Sequence, residues 1–235
     1  MDKLIIDLSN CVVADVSQTV GPYLRHYMQR RGGSPSGLGI SLHGFGLIAF
    51  DAGDVGRLDS SIPALERMKS FLRFTIWGLP LPDDVQARLT LDFLTYVPRE
   101  EVVYFRNEDP RLTVVGELSV QMPNLKALDL RRVPLHAAFS TLGPQGGSHI
   151  QGRFPLSLQH IFLAQLIVNG FDWIPFIAFL SHRASLGNEL DSVRIDGPYH
   201  MCVPVNQTVR GLVRRLDIDK ACLDSWCPFG TCLYT

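Results

Sequence analysis

Leu125–Leu135 reads LKALDLRRVPL, and its apolar residues Leu125, Leu128, Leu130, Val133 and Leu135 follow the spacing L-x-x-L-x-L-x-x-V-x-L. The alternation through Leu128 and Leu130 is that of a strand with one buried face. The same five offsets recur at Phe71, Phe74, Ile76, Leu79 and Leu81, and again at Leu158, Ile161, Leu163, Leu166 and Val168. Leu190, Val193 and Ile195 carry the first three, as do Met1, Leu4 and Ile6. A unit of this size cannot bury its own apolar faces, whereas stacked copies share one continuous core.

Spacing of this kind is that of leucine-rich repeats. It predicts an α/β fold, an irregular leucine-rich-repeat solenoid with parallel strands on the concave side and helices on the convex side. With the second apolar slot at Phe74, Val103, Leu128, Ile161 and Val193, successive units lie 29, 25, 33 and 32 residues apart. Helical periodicity is expected over Val16–Met28, Pro63–Ser70, Asp83–Val97, Leu112–Met122, Asp172–Leu186 and Asn206–Leu216. Ile40–Phe50 is ambiguous: Leu42, Phe45, Leu47 and Phe50 fit the offsets, but Gly44 and Gly46 favour a bulge or hairpin. Thr141–Gly152 reads as a flexible insertion. The repeat domain is expected over 1–216, with a cysteine-containing tail over 217–235. Because the chain opens inside the repeat pattern, an upstream capping segment, or a fragment of a longer protein, is expected.

Composition narrows the function classes. The chain has 235 residues, is 46% hydrophobic and 19% charged, and carries a formal net charge of −1. This is ordinary globular composition with no global basic field for nucleic acid or an anionic membrane. Cys11, Cys202, Cys222, Cys227 and Cys232 are odd in number, and no secretory leader opens the chain, so a reducing cytoplasmic or nuclear setting is expected. The most apolar stretch, Trp173–Leu180, is far short of the roughly 20 residues a spanning helix needs. Asn206-Gln207-Thr208 has glycosylation spacing, which without a leader is read as coincidence.

If the repeat leucines face inward, the residues between them face out. On the aligned strands these are Arg73, Thr75 and Trp77; Val102, Tyr104 and Arg106; Ala127, Asp129 and Arg131; His160, Phe162 and Ala164; and Ser192, Arg194 and Asp196. Aromatic and arginine side chains join a large contact area to a directed polar group, the combination that dominates protein interfaces. The expected partner-binding residues are therefore Arg73, Trp77, Tyr104, Arg106, Asp129, Arg131, His160, Phe162 and Arg194.

No catalytic, cofactor or metal residues are expected. Cys222, Cys227 and Cys232 are five apart, wider than the two to four residues usual between zinc ligands. His43-Gly44-Phe45-Gly46 is similar to an esterase oxyanion loop but lacks a G-x-S-x-G elbow, and Gly143–Gly152 lacks the Lys and Ser/Thr of a phosphate loop. His26, His136, His149, His160, His182 and His200 stand singly, and only His160 occupies an outward strand slot.

Together with Pro155–Gly197 (PLSLQHIFLAQLIVNGFDWIPFIAFLSHRASLGNELDSVRIDG), the repeat units resemble the leucine-rich-repeat region of fungal F-box-like proteins. The resemblance implies a non-catalytic scaffold that binds a protein on its concave face as the substrate-recognition part of a ubiquitin ligase, with a Skp1-type adaptor as a further partner. Leu81-Pro82-Asp83-Asp84, followed by Leu89, Phe93 and Leu94, looks like the opening of an F-box, although the usual aromatic-rich third helix does not follow Val97. No functional residue is carried over from that module. An enzyme of unrecognised type, or a truncated product lacking its functional N-terminal module, are the alternative readings.

Overall fold

In a computed structural model of the chain, the residues described are 4–7, 21–23, 25–26, 37–43, 46–51, 70–75, 95–108, 121–140, 155–164, 173–196 and 203–219. Among these residues nine strands join in one sheet: β1 (Leu4–Asp7), β2 (Leu38–His43), β3 (Gly46–Asp51), β4 (Ser70–Thr75), β5 (Val102–Asn107), β6 (Ala127–Arg131), β7 (His160–Ala164), β8 (Ser192–Asp196) and β9 (Leu216–Asp219). Their spatial order is β1-β4-β3-β2-β5-β6-β7-β8-β9. From β2 through β5 to β9 every neighbouring pair is parallel, a run of six strands. Three described helices, α1 (Leu135–Ser140), α2 (Trp173–Ser185) and α3 (Val203–Leu212), separate the last four strands in the chain.

The repeat slots align Cα to Cα. Leu128 sits opposite Ile161, and Ile161 opposite Val193; one slot on, Leu130, Leu163 and Ile195 do the same. All six side chains are fully buried, as parallel strands joined through helices require. The units also share an entry turn: Leu125 N–H donates to Met122 O at 3.0 Å and Leu158 N–H to Pro155 O at 2.9 Å. Val102 N–H makes the equivalent bond to Arg99 O, closing a single 3-10 turn at Arg99–Glu101.

That turn corrects the expected register of β5. Phe105, not Val103, lies opposite Leu128, and Asn107 takes the place of the next leucine opposite Leu130. Val102, expected to face outward, is fully buried. Val103 is instead the extra residue where the pairing with β2 shifts, from Leu38 opposite Val102 to Gly39 opposite Tyr104. It packs over Gly37, where a Cβ would fall 2.6 Å from a Val103 methyl, and Gly37 has φ +84°. A side chain at 37 is thus excluded by space and by backbone conformation.

Two further expectations change. The spacing over Asn206–Leu216 predicts a helix, but α3 ends at Leu212 and Leu216–Asp219 is a strand, with Val213, Leu216 and Ile218 in the first three slots. Second-slot residues Phe105, Leu128, Ile161, Val193 and Leu216 are therefore 23, 33, 32 and 23 residues apart. The Phe71 unit does not neighbour β5: β2 and β3 form an antiparallel hairpin between them, with His43 opposite Gly46. β4 pairs with β1, Ile6 facing Phe74 rather than Ile76. An inserted hairpin and one reversed strand depart from a regular stack of one strand and one helix per repeat.

Of the other expected helices, Val16–Met28 is helical at its described residues, and Asp83–Val97 ends in a turn at 95–97. The remainder of 83–97, most of 112–122, residues 63–69, the insertion 141–152 and all five cysteines lie outside the described residues. α2 matches its expected span within a residue at each end. It stops in a two-bond left-handed cap: Gly187, at φ +69°, donates to Ala184 O, and Asn188 N–H to Arg183 O. Phe139 of α1 lies 4.8 Å from the ring of Phe176 and 5.3 Å from that of Phe179, so an aromatic cluster locks α1 to α2. Among the described residues no helix is long and apolar enough to cross a membrane.

Candidate functional site

Strand pairing assembles the outward slots into rows that run across the sheet. Tyr104, Ala127, His160 and Ser192 form one row, and Arg106, Asp129, Phe162, Arg194 and Asp217 the next. Arg131, Ala164 and Asp196 follow. The expected partner-binding residues Tyr104, Arg106, Asp129, Arg131, His160, Phe162 and Arg194 are thus brought onto one face of four adjacent strands. Arg73 occupies the same row as Arg106, through Ile48 and Ser41, four strands from Arg106's neighbour Asp129. Trp77 lies outside the described residues.

Exposure on this face differs from the expectation of an open surface. Tyr104 and Phe162 are 3% exposed, Arg106 8% and Asp129 0%, whereas Arg131, His160 and Arg194 are part-exposed. Strand alternation identifies the face a residue belongs to but not whether that face meets solvent. The accessible part of the ladder lies toward β7, β8 and β9, where His160, Arg194, Asp196 and Asp217 are all part-exposed.

Its buried part is an ion network centred on Asp129. Tyr104 Oη donates to Asp129 Oδ2 at 2.7 Å. Arg131 Nε donates to Oδ1 at 3.1 Å, and its Nη2 to Oδ2 at 3.2 Å. Arg106 Nε stands 3.9 Å from Oδ2, and the Arg106 guanidinium pairs with Glu108, which also lies 3.8 Å from Arg131 Nε. Two guanidinium groups and two carboxylates balance, which is how charges are accommodated away from water. The arrangement ties β5 to β6 and consumes the acceptors of Asp129.

Burial, then the Asp129 charge and its hydrogen bond, push the Tyr104 phenol well above its ordinary value. It is held as a hydrogen-bond donor rather than a phenolate. A phenol whose folded value is raised favours the native state most below its unfolded value, and that contribution is lost as pH climbs above about 10. Tyr104→Phe should cost about 2 kcal/mol at neutral pH through loss of the charged hydrogen bond. It should also flatten the alkaline fall in stability. Urea denaturation at neutral pH and above pH 10 checks both; parallel alkaline profiles for the two proteins would contradict the assignment.

Ser192 is expected in an outward slot but not among the partner-binding residues, and Glu108, just past the end of β5, is not expected at all. Ser192 Oγ lies 2.9 Å from His160 Nδ1. Glu108 is two residues beyond Arg106, so continuing the strand alternation finds it. A second buried cation, Arg183 of α2, lies away from the ladder. Its guanidinium donates to Leu158 O at 2.7 Å, Asn188 O at 2.9 Å and Pro155 O at 3.3 Å. Its signal is helical spacing: Phe176, Phe179 and Leu180 are buried, and Arg183 is next on that stripe.

Among the described residues no group of three His, Cys, Asp or Glu side chains is placed to hold a metal ion. His43 and Gly46 of the glycine-containing loop are the closing pair of the β2–β3 hairpin. No family model, curated protein or solved structure matches the chain.

Proposed function

We propose that the chain is a protein-interaction scaffold, an irregular leucine-rich-repeat arc that binds a partner protein on the polar face of β5–β9. The observation that carries this reading is the in-register ladder. Parallel strands with buried repeat slots present Arg131, His160, Arg194, Asp196 and Asp217 side by side at the accessible end of one face. The buried Asp129 network borders that surface on the same face, fixing β6 against β5 and orienting Arg131 through two hydrogen bonds to one carboxylate. Substrate recognition for a ubiquitin ligase follows from the family resemblance alone, and co-purification with a Skp1-type adaptor tests it separately.

Arg194→Glu reverses a part-exposed charge at the centre of this surface. It should weaken partner binding roughly tenfold or more, as loss of an interface arginine does. The melting temperature should stay nearly constant. Affinity purification with mass spectrometry, using wild-type and Arg194→Glu chains as paired baits, provides the test. A partner retained by the first and lost by the second supports the proposal; identical sets on both overturn it.

A further inference from the structure

Asn206-Gln207-Thr208 has the spacing of an N-glycan acceptor, and the structure places it inside α3, at the fourth to sixth of ten helical residues. Val205 and Val209 mark the buried side of α3, which packs against α2. Asn206 lies on that side too, only 7% exposed, whereas Gln207 and Arg210 are exposed. Its Oδ1 accepts a hydrogen bond from Arg210 Nε at 2.9 Å, one turn along the helix. Burial and this bond together fix the carboxamide in the folded chain.

Glycan transfer requires the opposite arrangement. The asparagine Nδ2 attacks the anomeric carbon of a lipid-diphosphate-linked oligosaccharide. A new N–C bond forms as the bond from that carbon to the diphosphate breaks, and the nitrogen gives up one proton. The acceptor is recognised through its asparagine and its threonine together. In an extended chain residues i and i+2 share a face, but on a helix they point about 200° apart. α3 therefore cannot present Asn206 and Thr208 to one site. Nor has it room for the product: a sugar at Asn206 would carry its hydroxyls into the contact between α3 and its neighbours, where burying them without partners is unfavourable.

We infer that Asn206 is an N-glycan acceptor only in the unfolded chain, that a glycan there and packed α3 exclude one another, and that this fold is reached only where no oligosaccharide is transferred. α3 carries the chain from β8 to β9, which pair in parallel, so a chain modified at Asn206 loses the docking of β9 along with that of the helix. The inference is independent of the binding reading above, since Asn206 lies outside the β5–β9 face.

The test uses the full chain, made in a eukaryotic host both as it stands and behind a cleavable secretory leader. Each form is made as wild type and as Thr208→Ala, which removes the acceptor sequence and leaves Asn206 and its bond to Arg210. Thr208→Val, closer in shape, is carried in parallel in case the alanine weakens the helix. Lectin chromatography and intact mass sort leader-directed molecules by glycan; circular dichroism melts and limited trypsin digestion report the fold. Glycan-bearing wild-type molecules should show no cooperative melt. Cleavage at the exposed Arg214 and Arg215 should be roughly tenfold or more faster than in the leaderless protein, as local unfolding predicts. Position-208 variants from the same route should be glycan-free and melt like the leaderless chain. Glycan-bearing molecules that melt cooperatively, or wild-type protein that leaves the secretory route glycan-free and folded, would each overturn the inference. So would failure of both position-208 variants to fold on that route, which would trace the loss to the route and not to the glycan.

Discussion

Replacing Asp129 with alanine should lower the unfolding free energy by about 3–5 kcal/mol, the loss that follows when one partner of a buried ion pair is removed. In a chain of this length that corresponds to a fall of about 10 °C in melting temperature. The carboxylate is fully buried and receives the Tyr104 hydroxyl and two Arg131 hydrogen bonds. Without it, Arg106 and Arg131 lose one of the two carboxylates they share, and the Tyr104 hydroxyl loses its hydrogen bond to that carboxylate. Asp129→Asn should fall between wild type and Asp129→Ala, because the amide oxygen still accepts from Tyr104 while the negative charge is gone. The triple substitution Tyr104→Phe, Asp129→Leu, Arg131→Met removes one cation with one anion and leaves the Arg106–Glu108 pair intact. It should recover more than half of the loss, since apolar side chains of similar volume can replace a buried ion pair with little penalty. Thermal and urea denaturation followed by circular dichroism compares the variants. If Asp129→Ala melts within about 2 °C of wild type, the network does not hold β5 to β6.

This prediction depends on a property that the pattern of residues does not carry. Leu128, Leu130, Ile161, Leu163, Val193 and Ile195 reveal strands, parallel alignment and register, because each slot is apolar and each intervening residue breaks the alternation in the same way. β5 slips by two residues in such a reading because Asn107 occupies a slot elsewhere filled by an aliphatic side chain. β9 is hidden for another reason: Val213, Leu216 and Ile218 have the repeat offsets, but the helical periodicity beginning before them runs into the same stretch. The place of the β2–β3 hairpin is still less accessible, since periodicity specifies a strand's faces and not its neighbours. Asp129 shows the limit at the level of the site. Alternation places it correctly on the polar face, but its burial and its ring of donors arise only when Tyr104, Arg106, Glu108 and Arg131 are brought around it.

Arg183 presents the complementary case, a buried cation neutralised by carbonyl oxygens, and its replacement by alanine should cost about 3 kcal/mol. Burial pushes its guanidinium down from its ordinary value, and only 2% of the residue is exposed. The last turn of α2 offers the negative end of the helix dipole, and the guanidinium donates to Leu158 O, Asn188 O and Pro155 O. Those acceptors belong to the turn that enters β7 and to the cap that ends α2, so one side chain fastens the helix to the start of the preceding strand. Arg183→Lys keeps the charge but replaces a planar fork with a compact ammonium that cannot reach all three carbonyls, and should lose about half as much. Arg183→Met removes the charge and keeps most of the volume. It therefore separates the clamp from simple filling of space: a melting temperature equal to wild type would show that the relieved desolvation offsets the lost bonds. If the clamp is what orders the turn, hydrogen exchange at Leu158, Gln159 and His160 should accelerate in Arg183→Met and less so in Arg183→Lys. Those amides donate to Pro155 O and Lys126 O, and protection unchanged in both variants would assign the order of the turn to these backbone bonds alone.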